Sequence, residues 1–173
     1  MRAARMPDAA PQERLQPSLL DRLIDDAPDA QRESDAQRTL TRQALRLAVL
    51  RDLGWLFNAT GLGLSMDDRR YPHAARSVLN YGLPMLSGQF TSSVQRASME
   101  QALKNAIVLF EPRILPRTLE VELIMEGSAL DSHNRIGLQI RGMLWAQPVP
   151  LEFLMRSRID LEEGRIEVVG AGG

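Results

Sequence analysis

The chain contains no cysteine, so a disulfide scaffold, a thiolate zinc site and a cysteine nucleophile are excluded. Its only histidines, His73 and His133, lie far apart and without ligand-like neighbours, and no metal site is expected. Lys104 is the sole lysine, and a net charge of −1 leaves no basic excess to favour nucleic acid. Aromatic residues do not alternate with basic ones as a base-stacking platform requires. There is no Gly-x-Ser-x-Gly elbow, no Walker loop and no Gly-x-Gly-x-x-Gly, so no cofactor is expected. No apolar run approaches the roughly 18 residues of a membrane span. The opening Met1-Arg-Ala-Ala-Arg-Met-Pro-Asp lacks a signal-peptide apolar stretch, and the expectation is a cytoplasmic protein with no direct membrane insertion. Without secretion the formal sequon Asn58-Ala59-Thr60 carries no meaning.

What the 173 residues do contain suits one domain with a tail. Residues 1–16 are polar, alanine-rich and proline-bearing, and read as a disordered tail. In residues 17–33, a short helix and linker, Leu19, Leu20, Leu23 and Ile24 fall at helical spacing between Pro17 and Pro28. So short a helix must dock, either on its own domain or on a partner. The remaining residues, 34–173, read as a single α+β domain.

Ser34 and Gln37 form a capping-box pattern before a helix that runs to about Phe57. Leu45, Ala48, Val49, Leu53 and Leu56 share its apolar face, and Gly61 and Gly63 end it. Arg38, Arg42 and Arg46 form a stripe that fits an acidic partner, although a solvated face is the commoner use of such a pattern. Residues 61–92 are rich in Gly, Pro, Asn and Ser and predict an ordered, irregular connection that buries Val78, Leu79, Tyr81 and Leu83. A second helix spans about Ser93 to Phe110, with Met99, Ala102, Leu103, Ala106, Ile107 and Phe110 on one stripe. Pro112 stops it and leaves Glu111 exposed at its exit.

Beyond Pro112 the period changes to two. Leu119 to Met125, Ile136 to Leu144, Leu151 to Leu161 and Arg165 to Val169 read as half-buried antiparallel strands, the last two joined by a turn at Glu162-Glu163-Gly164. The fold class is therefore α+β, with two main helices packed on a small antiparallel meander and a short N-terminal helix.

The one local feature that suggests a site is Glu111-Pro112-Arg113 at the helix-to-sheet junction. Pro112 rigidifies the exit, and the flanking charges have three uses open to them: pairing with each other, capping backbone, or reaching a partner.

Several strings carry a resemblance. They are Ser18-Leu-Leu-Asp-Arg-Leu23, Val49-Leu-Arg-Asp-Leu-Gly-Trp-Leu-Phe57, Ser77-Val-Leu-Asn-Tyr-Gly82 and, above all, Ala106-Ile-Val-Leu-Phe-Glu-Pro-Arg-Ile114, with Trp145 and Pro148-Val-Pro-Leu151 beyond. Over roughly residues 17–170 the chain resembles the TssE family of type VI secretion, relatives of a small phage-tail baseplate wedge protein often labelled lysozyme-like. The resemblance implies a structural subunit of the cytoplasmic baseplate beside TssF, TssG and TssK, in contact with the first ring of the contractile TssB/TssC sheath. It assigns assembly to Glu111, Pro112 and Arg113. Sheath contact in this class resembles strand addition to a sheet edge, for which Arg165–Val169, short and terminal, is a candidate edge.

Two other classes compete. A glycoside hydrolase needs two carboxylates across a cleft, here Glu111 as acid with Glu120 or Glu122. The neighbouring Arg113 favours the ionised form of Glu111, the opposite of what a general acid requires. An adaptor would instead work through Ser18–Asp26.

Overall fold

Segments with apolar residues three and four apart form helices, and segments with two-residue alternation form one sheet. The computed structural model describes residue 15 and residues 17–23, 40–62, 67, 69–84, 93–125 and 135–172. Its elements are α1 (Leu19–Leu23), α2 (Arg42–Asn58), α3 (Pro72–Ala75), α4 (Ser93–Phe110), β1 (Glu120–Met125), β2 (Arg135–Leu144), β3 (Leu151–Asp160) and β4 (Arg165–Gly172). The strands form a four-stranded antiparallel sheet in the order β1-β2-β3-β4, so the fold is α+β. Each long helix leans over an outer strand, α2 against β4 and α4 against β1.

The core lies between these layers. Val49, Leu53, Leu103, Ile107, Ile140, Met155 and Ile159 are all fully buried. The burial of β3 alternates residue by residue, as its sequence period requires. Central β2 does not alternate, because Ile136 to Ile140 are all buried. On its outer face Gln139 sits in register between Glu122 and Arg156, where long neighbours on both sides limit its contact with water.

α4 occupies the span expected for it. α2 begins later than expected, at Arg42. Thr41 caps it, its hydroxyl accepting from the Ala44 N–H at 3.1 Å. The Ser34/Gln37 capping box and Gly63 lie outside the described residues. α2 ends at Asn58, before Gly61, because Ala59 is extended and Thr60 pairs in parallel with Leu83. Leu15, expected within the tail, is buried and pairs with Leu40, whose N–H donates to Leu15 O at 2.8 Å.

The connection after α2 differs from expectation at two residues. Val78 and Leu79, expected inside, are 79% and 69% exposed. They sit in a 3-10 turn, Val78–Asn80, opened by the Ser77 hydroxyl, which turns them outward. Tyr81 and Leu83 supply the buried contacts instead, Tyr81 edge-on to Phe110 at 5.2 Å between ring centroids. Gly82 makes the reversal possible. Its φ is +121°, and a Cβ there would fall 2.3 Å from Ala59 O.

The Glu162–Gly164 turn forms as expected, with Asp160 Oδ1 accepting from the N–H groups of Glu162 and Glu163. β4 continues to Gly172 past a register shift opposite Arg156/Ser157, so it is longer than Arg165–Val169.

Gly82→Ala is expected to destabilise the protein by about 1–3 kcal/mol from backbone strain alone. Overlap with Ala59 adds to that cost, and a lowered thermal midpoint by circular dichroism checks it.

Candidate protein-binding site

Met99, Leu103 and Ile107 form a buried row at spacing four on α4, and Glu111 is the next position in that row. The helix ladder reaches it, since the Glu111 N–H donates to Ile107 O at 2.8 Å. Its side chain is therefore carried inward, and the residue is only 3% exposed. This corrects the expectation of an exposed Glu111. Pro112 then breaks the ladder, and the chain turns so that the Ile114 N–H reaches Glu111 O.

The turn folds Arg113 back over the carboxylate. Arg113 donates from its backbone N–H at 3.2 Å and from Nε at 2.7 Å to Glu111 Oε1. Its Nη2 donates both to Glu111 Oε2 and to Asp52 Oδ2 on α2. Asp52 also accepts from Arg51, whose Nη1 pairs with Asp21 at 2.7 Å. Asp21 in turn accepts from the backbone N–H and hydroxyl of Ser18. Charges thus alternate from the α4 exit through α2 to α1. The turn is also sewn to the sheet. Ile114 bridges Leu144, the Leu115 N–H donates to Met143 O at 2.8 Å, and the Trp145 N–H donates to Arg113 O at 2.7 Å.

These neighbours set the electrostatics. Burial works against the Arg113 charge, but Glu111 and then Asp52 outweigh it and hold the guanidinium above its ordinary pKa. Arg51 is raised in the same way, burial opposing and Asp21 and Asp52 prevailing. For Asp21, burial alone would push the carboxyl up, but the Ser18 hydroxyl and Arg51 hold it below the usual range. Burial pushes the Tyr81 hydroxyl up, and the negative Asp52 and Glu111 add to that.

Glu111, Pro112 and Arg113 thus form one turn but face differently. Glu111 is inside, Pro112 is exposed, and Arg113 is half-buried. Arg113 Nη1 has no hydrogen-bond partner among the described residues. Glu120 and Glu122 are exposed on β1, opposite Arg141 and Gln139, while the Glu111 carboxylate is engaged by Arg113. His73 is exposed, His133 lies outside the described residues, and no cluster of metal-ligating side chains occurs among the described ones. In the arginine stripe, Arg46 donates from Nε to Glu152 O of β3 at 3.2 Å, Arg42 is exposed, and Arg38 lies outside the described residues.

α1 is tethered by its polar side, through Asp21, and so its leucines face outward. Leu19 is 72% and Leu23 73% exposed, while Ile24 lies outside the described residues.

Asp52, Arg51 and Asp21 were not singled out from sequence. A signal for Asp52 existed: it is the seventh residue after Leu45, on the apolar face formed with Val49, Leu53 and Leu56. A carboxylate in such a row calls for a buried cation.

A family model described as baseplate wedge protein gp25 matches residues 43–149. That span holds α2 from its second residue, all of α4, the Glu111-Pro112-Arg113 turn, β1 and β2. No curated protein and no solved structure matches the chain.

Arg113→Ala leaves a buried carboxylate without its cation and is expected to destabilise the fold by about 3–5 kcal/mol, measured by denaturant unfolding. Because folding depresses the Asp21 pKa, the α1 tether contributes fully above the ordinary aspartate value of about 3.9. It is lost as pH falls through the depressed folded value. A carboxyl NMR titration of Asp21 should therefore show a midpoint below that of an unfolded-state aspartate.

Proposed function

Because the chain belongs to the baseplate wedge protein gp25 family, to which TssE also belongs, we propose that it is a TssE-type structural subunit of a type VI secretion baseplate. In this role it binds the wedge proteins TssF, TssG and TssK and anchors the first ring of the TssB/TssC sheath by strand addition. It works on the cytoplasmic face of a docked machine. None of the helices among the described residues is long and apolar enough to cross a membrane.

The observation that carries this reading is the construction of the Glu111-Pro112-Arg113 turn. Glu111 fixes the turn from inside, Pro112 presents a rigid exposed apex, and the half-buried Arg113 clamps the carboxylate beneath that apex. The family is one of structural baseplate components, and the engagement of Glu111 by Arg113 weighs against its use as a general acid in glycoside hydrolysis.

A second reading draws on α1. Its outward Leu19, Leu20 and Leu23 suit a docking peptide that meets an apolar groove on a wedge protein, as an adaptor would.

Both readings meet in one experiment, recovery of co-expressed TssF, TssG, TssK, TssB and TssC on the tagged protein. The wild type is expected to recover wedge and sheath proteins. Pro112→Asp, folded by circular dichroism, should recover about tenfold less, the loss of about 1.4 kcal/mol of binding. A normal recovery by Pro112→Asp sets aside the turn as the contact. Reduced wedge recovery by Leu19→Ser/Leu23→Ser assigns α1 to docking. No recovery by the wild type overturns the baseplate role in this system.

A further inference from the structure

Each outer strand of the sheet has one rung taken by a side chain from a helix. On β4, Asn58 at the end of α2 accepts from the Ile166 N–H at 3.1 Å. Its Nδ2 donates to Ile166 O at 3.0 Å and to Gly54 O at 2.8 Å. On β1, Glu100 of α4 accepts from the Leu123 N–H at 2.9 Å.

An antiparallel strand turns the N–H and C=O of alternate residues toward opposite neighbours. Asn58 shows that those of Ile166 point away from β3. By register the same holds for Val168, opposite Ser157, and, past the register shift, for Ala171, opposite Met155. Among the described residues, the unpaired edge of β4 therefore begins after Ile166 and offers two successive rungs. On β1 the outward rungs are Val121, Leu123 and Met125, and Glu100 occupies the middle one. A carboxylate offers only acceptors, so it repels the carbonyl that an incoming strand would place there. An amide offers both a donor and an acceptor, which is what a residue of a neighbouring strand presents to Ile166.

We infer that Asn58 is a strand stop: it stands in for a fifth strand at Ile166 and confines an incoming extended segment of a partner to the β4 rungs of Val168 and Ala171. This rests on the reading of sheath contact as strand addition. It identifies β4 as the accepting edge and sets where pairing ends. The partner it fits is an extended segment that binds through its main chain and reaches no further than Val168 toward the Glu162–Gly164 turn. The stop also leaves less bare edge for unwanted pairing with another sheet.

Amide hydrogen exchange on the full chain tests the stop without a partner. In the wild type the Ile166 amide should exchange more slowly than those of Val168 and Ala171. Asn58→Ala should speed Ile166 by about fivefold, the scale of one net hydrogen bond, with Ile159 unchanged. Equal rates for Ile166 and Val168 in the wild type would overturn the stop.

The second arm adds the co-expressed TssB/TssC pair. Protection should appear at Val168 and Ala171 and not at Val121. Val168→Pro removes only an outward donor and should weaken capture about fivefold. If that variant does not fold, the wild-type exchange pattern decides. Capture with protection at Val121 instead overturns the choice of β4 and leaves the sheath reading standing. No capture by the wild type overturns the sheath reading and the pairing window together, while exchange in the free protein still decides the stop.

Discussion

A carboxylate that ends a row of buried apolar residues must find a cation or be expelled into water, and the junction between the helices and the sheet is built around that requirement. Glu111 lies where α4 hands the chain to β1, and Arg113 meets it from two residues away. The pair would be a local turn were it not for Asp52, which ties the same guanidinium to α2. One arginine thus fixes the relative position of both long helices and, through Trp145 and Leu115, the end of β2. Desolvated ion pairs of this kind add little net stability over an apolar isostere, but they penalise every arrangement that separates them. Their value here is geometric: only one packing of α2, α4 and the turn keeps all three charges matched.

The segment before α4 serves the same junction from another side. The reversal at Gly82 brings Leu83 beside Thr60 and places Tyr81 against Phe110, the residue before Glu111. A bulky ring on that flank limits water near the carboxylates, consistent with the upward shift of the Tyr81 hydroxyl beside Asp52 and Glu111. Two sequence strings that are far apart, one ending in Gly82 and the other in Ile114, are therefore parts of a single construction.

Features set by local periodicity were legible in the sequence. The span of α4, the stop at Pro112, the meander and the Glu162–Gly164 turn all follow from spacing and from proline and glycine chemistry. The misread features depend on distant partners. Val78 and Leu79 are apolar, yet the 3-10 turn opened by the Ser77 hydroxyl, held by the Leu83 N–H donating to Ala59 O, faces them outward. The charge of Glu111 suggests a surface residue at a helix exit, whereas its place in the row of Met99, Leu103 and Ile107 carries it inside. Asn58 had no signal at all, since its partner Ile166 is 108 residues away and the bond is to backbone, which carries no residue identity.

The position of the turn relative to the sheet bears on how one small subunit would hold the two partners proposed for it. Ile114 bridges Leu144 at the end of β2, and Ala171 of β4 pairs with Met155, which pairs with Ile140 of the same strand. The Glu111-Pro112-Arg113 turn and the rungs proposed to accept a strand therefore lie toward the same end of the sheet but on opposite sides of it. Ile114 flanks β2 on one side, and on the other β3 and β4 intervene before the open edge, a width of about 15 Å at roughly 4.8 Å per strand. Hydrogen-bonded strands are stiff across that distance. A partner gripping the turn and another adding to β4 would be held at a fixed spacing without touching each other. In that proposed arrangement the Glu111–Arg113–Asp52 cluster would bear on both contacts, because Asp52 ties Arg113 to α2 and α2 carries Asn58 to the β4 edge.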